Sequence, residues 1–472
     1  MENTEPLVWY GALVLTVTGA LILVPYMRRK ADLLTGWNLL LISAAIFIGL
    51  GCFEAVSTGP RQENLQDFHP TKSDIRWYLS TTTVFLSVLI VSYYYNPIAR
   101  SLAGRSLAKW PPLTPALFLM VIGICFVVQV LSMATMGQVF FGPLLFKLSH
   151  KALAFMTVFA FMLWYRNRLN LFWLGLFCAV FLFACLTSIR FGTGRRLLLS
   201  MFVGPLLCFY WMQARHWRPT RSLVLIGVAA FAVFIIGLMY SSIRHFSQIA
   251  GQLRQERTTS AIIEQIRSVR SRPWLERYTN DKLFYFSQQC VHYSLLVKRH
   301  VDNGRLEPKP LNTLYFAVVY PIPRRIWPDK PVLLGAVAPR VIAQTPTTNW
   351  GVGIPGHAAY EGGILVAALY AFILAFAIRF FDDPLYKQPA NPFLISMLAA
   401  ASPHIVGWTR GDLGNMTLEA GECVLFAFIL SVVCRMLFGT ERPNVRGRVN
   451  PAAADHAYPY VAQPIGPRPT RP

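Results

Sequence analysis

The sequence predicts an all-α polytopic membrane protein, and three observations carry that prediction. Of 472 residues, 54% are hydrophobic and only 14% are charged, against about 25% charged in soluble domains. The mean hydropathy is +0.43. The apolar runs are continuous and long enough to cross about 30 Å of hydrocarbon as helices of ~20 residues. They do not alternate with polar residues in the short segments typical of a β-barrel.

About eleven spans are predicted, at residues 7–27, 35–55, 77–95, 113–133, 143–164, 171–189, 197–213, 223–241, 359–380, 392–409 and 417–437. They divide the chain into an N-terminal bundle of about eight spans (1–241), a large loop or lid (242–358), a C-terminal bundle of about three spans (359–437) and a tail (438–472). The first run has no basic region before it, so it reads as a span and not as a cleaved signal peptide. The tail is rich in proline and arginine and reads as disordered. No internal repeat is evident.

Basic residues fix the orientation, because they concentrate in cytoplasmic loops. Arg28, Arg29 and Lys30 follow the first span. Arg100, Arg105 and Lys109 follow the third; Arg166 and Arg168 the fifth; Arg215, Arg218 and Arg221 the seventh; Arg379 and Lys387 lie at the end of the ninth; Arg435, Arg442, Arg446 and Arg448 close the last. These loops alternate, so the N-terminus lies outside and the C-terminus inside. The segments 56–76, 134–142, 190–196, 242–358 and 410–416 then face outward. Three of them carry arginines that this rule does not require: Arg190, Arg195 and Arg196; Arg324 and Arg325; and Arg410. Within the large loop, "GQLRQERTTSAIIEQIRSVR" (251–270) carries Ile262, Ile263, Ile266 and Val269 as an apolar stripe at helical spacing, so short surface helices are expected there.

The net charge of +22 points to anionic lipid surfaces or an anionic lipid-linked substrate. Nucleic acid is disfavoured, since no basic stripe with interleaved aromatics is present. The eight cysteines form no CxxC and no metal-spaced cluster with histidine; seven fall in or beside spans, and Cys290 lies alone in the large loop. There is no Walker loop, no GxGxxG opening a βαβ unit and no HExxH. Any donor substrate must therefore arrive already activated, in the membrane.

Several short stretches carry chemistry. "SIRFGTGRR" (188–196) sets Arg190, Arg195 and Arg196 around a glycine turn; guanidinium groups there suit phosphate oxygens, or else snorkel to lipid headgroups. "YPIPRRIWPDKP" (320–331) holds Arg324, Arg325 and Lys330 in a proline-stiffened loop, with Trp327 suited to a sugar face or the interface. One aspartate, Asp329, cannot satisfy both arginines. "WGVGIPGHAAYEGG" (350–363) sets His357 and Glu361 four residues apart on one helical face. There they serve as a base, or as a helix-terminal pair facing water. "GWTRGDLGNMTLEAGE" (407–422) brings Arg410 and Asp412 to the last external turn, as substrate groups or as a local salt bridge, with Glu419 and Glu422 just inside the final span. Lys147, His150 and Lys151 form one polar face of the fifth span, and His404 lies in the tenth. Ionisable groups at that depth usually face a cavity. Together these features suit a lipid diphosphate-linked sugar, with arginines holding the leaving diphosphate and a carboxylate or histidine taking a hydroxyl proton.

The succession "VDNGRLEPKPLNTLYFAVVYPIPRRIWPDKP", "GVGIPGHAAYEGGILVAALY" and "TRGDLGNM", with "SIRFGTGRR" upstream, resembles bacterial O-antigen and exopolysaccharide repeat-unit polymerases of the Wzy type, relatives of the O-antigen ligases. In motifs the resemblance covers residues 188–196 and roughly 300–415; in topology, most of the chain. It implies a GT-C-like, metal-independent and cofactor-free glycosyltransferase of the bacterial inner membrane, facing the periplasm. Such an enzyme transfers a growing glycan from undecaprenyl diphosphate onto a lipid-linked repeat unit, alongside a chain-length regulator and a flippase of the same pathway. By that match Arg190, Arg195, Arg196, Arg324, Arg325 and Arg410 bind diphosphate and glycan, assisted by Lys330, Trp327 and Asp412. His357 resembles the ligases' candidate base, but "HAAYEGG" lets Glu361 compete for that role. An O-antigen ligase, which differs in its acceptor, and a lipid-linked sugar flippase, in which cations line a pathway, are the alternative readings, with a structural partner in an assembly complex behind them.

Overall fold

The computed structural model describes residues 4–57, 68–106, 110–135, 142–190, 195–249, 289–322, 324, 326–345, 349–411 and 413–439. Among them no strand occurs. The first half forms α1 (Glu5–Met27), α2 (Gly36–Ser57, with a π-helical stretch at Ala45–Leu50), α3 (Lys72–Tyr95), α4 (Pro97–Ser106), α5 (Pro115–Ala134), α6 (Gly142–Arg166), α7 (Leu171–Arg190), α8 (Arg195–Met212) and α9 (Pro219–Ile249). The second half forms α10 (Cys290–Asp302), α11 (Asn312–Val319), α12 (Leu334–Ile342), α13 (Gly353–Glu361), α14 (Ile364–Lys387), α15 (Pro392–Ile405) and α16 (Leu413–Phe438). The amphipathic stretch 251–270, the tail from residue 440, Arg325 and Asp412 lie outside the described residues.

Eight of these helices, α1, α2, α3, α5, α6, α7, α14 and α16, are long and apolar enough to cross a membrane. The chain is thus an all-helical, multi-pass membrane protein. Two of the three other expected spans match helices at least as long as expected, α8 with 18 residues and α9 with 31; only the third comes out shorter. Helix α15 has 14 residues, which at 1.5 Å per residue reach about 21 Å, short of the hydrocarbon thickness. The sequence at 392–409 looked like a span because it is apolar all round. The structure buries it inside the bundle, against α6, α8 and α16, so its hydrophobicity answers to protein neighbours and not to lipid.

Local chemistry sets several helix starts. Thr35 Oγ1 accepts from Asn38 N at 3.1 Å and Thr114 Oγ1 from Leu117 N at 3.2 Å. Thr71 and Asp74 form a reciprocal capping box. Asn391 Oδ1 accepts from Phe393 N at 3.0 Å, with Pro392 in the first turn. Each satisfies amide donors that have no partner within the helix. Helix α1 lies close against α2 at a glycine pair: a Cβ on Gly11 would sit 2.7 Å from Gly49 O. Only the absence of side chains there permits the approach.

At the α14 C-terminus, Asp382 ties the two halves of the chain together. Its carboxylate accepts from Gly36 N at 2.7 Å, Trp37 N at 3.0 Å and Tyr93 Oη at 2.9 Å. It therefore caps α2 while holding α3. The Trp37 and Tyr93 rings stack at 4.0 Å, and Arg379 lies 5.0 Å over Tyr93 while pairing with Asp383 at 2.8 Å. Asp382 is 1% exposed, so no water replaces it if it is removed. Asp382→Ala leaves two buried amides and a phenol unpaired and is expected to lower stability by about 3–5 kcal/mol. The thermal midpoint of the detergent-solubilised protein checks this, with exposed Asp329→Ala as the comparison that moves it little.

Candidate functional site

Of the predicted site residues, His357 and Glu361 lie in one polar centre, Arg324, Trp327 and Lys330 in the proline-framed loop and Arg410 in an interlocked turn; a second polar centre gathers other ionisable residues. The first centre joins α11, α13 and α14. Helix α13 stops at Gly362 and Gly363, whose φ values are +137° and +76°, a region that favours glycine. Lys309 N and Leu311 N donate back to Tyr360 O and Glu361 O at 2.9 and 3.1 Å, which lays the start of α11 along the end of α13. Thr313 N then donates to Glu361 Oε2 at 2.9 Å and Thr313 Oγ1 to Oε1 at 2.6 Å. His357 Nδ1 lies 2.8 Å from Oε1, and Tyr370 Oη donates to Oε2. The carboxylate therefore sits in the first turn of α11, where the amide ends favour an anion.

The sequence set His357 and Glu361 on one face as rival bases, and they do share that face. Their exposures, however, are 0% and 1%, and both Glu361 oxygens are saturated with donors. The pair shapes the α11–α13 junction rather than lying open to a substrate. His357 Nε2 is buried without a hydrogen-bond partner.

The second centre lies within the bundle, where α6, α15 and α16 meet. Lys151 pairs with Glu419 and reaches Glu422 Oε2 at 3.3 Å. Lys147 approaches Glu422 Oε1 at 3.5 Å, and His404 Nε2 lies 4.0 Å from Glu419. Tyr320, at the end of α11, donates to Glu422 Oε1 at 3.3 Å, and Lys147 Nζ sits 4.1 Å over its ring. Arg196, at the start of α8, is close enough for its charge to act on His404. The cluster opens on one side: the Lys147 side chain is 33% exposed and Glu422 20%, whereas Lys151 is 4% exposed.

The proline-framed loop leads directly into this cluster. Lys330 Nζ donates to Tyr320 O at 2.6 Å and Ile322 O at 3.0 Å. Arg324 donates from its two terminal nitrogens to Pro328 O, Lys330 O and Pro331 O at 3.4, 3.1 and 3.2 Å. The partners of Arg324 are backbone carbonyls and not Asp329. Sequence reasoning had no signal for that. Arg324 is nonetheless exposed, with donors left over from its five N–H groups. Lys330 is buried, and its pKa is lowered by burial and by the charges of Arg324 and Lys147. Trp327 packs edge-on against Tyr315 at 6.2 Å.

Two separately quoted motifs interlock at the last turn. Gly411 has φ +84°, and a Cβ there would sit 2.8 Å from Gly353 Cα; a Cβ on Gly351 would sit 2.7 Å from Arg410 Cγ. The glycines of "WGVG" thus receive the "TRG" turn. Arg410 packs on Gly351, and its Nε is buried without a hydrogen-bond partner. Arg190 ends α7 and Arg195 begins α8. Lys147, Lys151, His404, Glu419 and Glu422 appear at polar-face or membrane-depth positions in the sequence. Their convergence, and the part of Tyr320, Thr313 and Tyr370, belong to the tertiary structure. Among the described residues no group of three or more His, Cys, Asp or Glu is placed to hold a metal.

Gly411→Ala combines a strained φ with overlap on Gly353 and is expected to cost at least about 2 kcal/mol, read as a lowered thermal midpoint. The Glu361 pKa responds first to burial, which raises it, but hydrogen bonds from His357, Thr313 and Tyr370 bring it net below its ordinary 4.5. The unfolded chain therefore takes up this proton first. Glu361 contributes stability that is complete above about 4.5 and lost as pH falls through the lower folded value. Unfolding scans of Glu361→Gln against the parent protein are expected to diverge above that window and converge below it.

No protein-family model, no curated protein and no solved structure matches this chain.

Proposed function

We propose that this protein polymerises lipid-linked oligosaccharide repeat units, moving glycan from undecaprenyl diphosphate to a lipid-linked acceptor at the periplasmic face of a bacterial inner membrane. The observation that carries the reading is the partly open cluster of Lys147, Lys151, Glu419 and Glu422 within the bundle, joined through Tyr320 to the loop that holds Arg324 and Lys330. A substrate anchored by a polyprenyl tail brings its diphosphate to just this boundary between apolar spans and a cationic loop. Exposed Arg324 and Lys147 supply charge-assisted donors to the diphosphate and stabilise the charge that develops as it leaves. Fixed donors that need no reorganisation can account for several kcal/mol of barrier lowering.

The flippase reading draws on the same lysines, because they lie within a span. Lys151, however, is paired to two carboxylates and nearly sealed, which suits a fixed site better than a conduit. A ligase would share the donor site and differ in its acceptor.

The test uses cells that make this protein. Removing the chain is expected to leave surface glycan as single repeat units, and Arg324→Ala at normal membrane abundance to shorten or abolish the polymer ladder. An unchanged ladder in the deleted cells sinks the polymerase reading. Loss of lipid-linked units from the outer leaflet supports a flippase, and full-length chains left on their lipid carrier support a ligase.

A further inference from the structure

We infer that Glu422 is the general base of the transfer, the group that takes the proton from the acceptor hydroxyl; the inference rests on the polymerase reading. Three carboxylates compete for that role near the loop. Glu361 is sealed, with both oxygens already accepting from Thr313, His357 and Tyr370. Glu419 accepts a direct hydrogen bond from Lys151 and also faces His404, both from within the bundle.

Glu422 is held differently. Its Oε1 meets Tyr320 Oη at 3.3 Å and Lys147 Nζ at 3.5 Å, both near the long limit of a hydrogen bond. Its Oε2 lies 3.3 Å from Lys151 and has no hydrogen-bond partner. Catalytic hydrogen bonds are often this loose before substrate arrives and tighten in the complex. Lys147 and Lys151 set two ammonium groups beside the carboxylate, at 3.5 and 3.3 Å. The Glu422 side chain is 20% exposed beside a Lys147 that is 33% exposed, while Oε2 is buried, so the opening of the cluster leads to Oε1. The Tyr320 O–H already donates to Oε1, so this oxygen can accept from a hydroxyl.

The step balances as follows. The acceptor oxygen attacks the anomeric carbon of the donor sugar, and the bond from that carbon to the diphosphate oxygen breaks. The bonding pair leaves with undecaprenyl diphosphate, whose added charge is met by Lys147 and Arg324. The acceptor's proton passes to Glu422 Oε1 and returns to solvent through the open side. Lys151 and Glu419 are positioning residues: they fix Glu422 but touch neither sugar.

The experiment uses full-length protein in vesicles, with lipid-linked repeat units extracted from cells lacking this chain as substrate and undecaprenyl diphosphate as binding probe. Glu422→Gln is expected to bind undecaprenyl diphosphate like the parent and to polymerise at least about 100-fold more slowly. The acid limb of the parent's rate profile should vanish from the residual activity. Lys147, His150 and Lys151 of α6, His404 of α15, Glu419 of α16 and Tyr320 are the titratable neighbours, and all remain in that variant. Polymerisation within tenfold of the parent overturns the assignment and leaves the polymerase reading standing. A parent protein that neither polymerises nor binds the probe removes that reading and the base with it. Should Glu422→Gln not fold, Glu422→Asp decides. It keeps the charge but withdraws the oxygen, so slowed transfer supports the base and parental rates overturn it.

Discussion

Two lysines and two glutamates inside a membrane bundle cannot exist apart. A lone ionised group at bilayer depth is costly, and removing one partner of a buried pair leaves the other uncompensated. Lys151 therefore dictates that α6 and α16 approach side by side, with Glu419 and Glu422 turned toward it. Much of the second half of the chain follows from that contact. Helix α15 fills the space behind the pair and adds His404. Tyr320 reaches Glu422 from the end of α11, so the large loop is moored to the spans by the same charges.

Around this cluster the fold uses hydrogen-bonded carboxylates and close backbone contacts to the same end. Asp382 fastens α2 and α3 to α14 with three hydrogen bonds. Glu361 fastens α11 to α13 and α14 with four. The interlocked glycines at 351, 353 and 411 set the last turn against the lead-in to α13. Each anchor is a buried carboxylate or a backbone contact, and together they leave the Lys147–Glu422 side as the loosely held part of the network. Tightly satisfied groups give rigidity; a group left partly unsatisfied and partly open is where chemistry has room to occur.

The proline-framed loop carries two kinds of cation. Lys330 is spent on Tyr320 O and Ile322 O, inside the protein. Arg324 holds three carbonyls of the loop while remaining exposed. Proline removes amide donors, so a proline-rich loop has an excess of carbonyls. Guanidinium and ammonium groups supply the missing donors. The same residues that stiffen the loop thus keep positive charge beside the cluster.

From the sequence alone, the helical membrane class and most long spans were legible, because hydrophobic run length is a local property. His357 and Glu361 were rightly put on one face, since i and i+4 is a local relation. What the tertiary structure decided was partnership. The 14-residue, mostly apolar α15 reads like part of a span in sequence and is a buried core helix in space, because hydrophobicity does not say whether lipid or protein covers it. Glu361 and Glu422 look alike in the sequence, each near a glycine-rich turn. One is saturated by Thr313, His357 and Tyr370, and the other is left half open by Lys147 and Tyr320, because Thr313, Lys147 and Tyr320 come from segments far away along the chain.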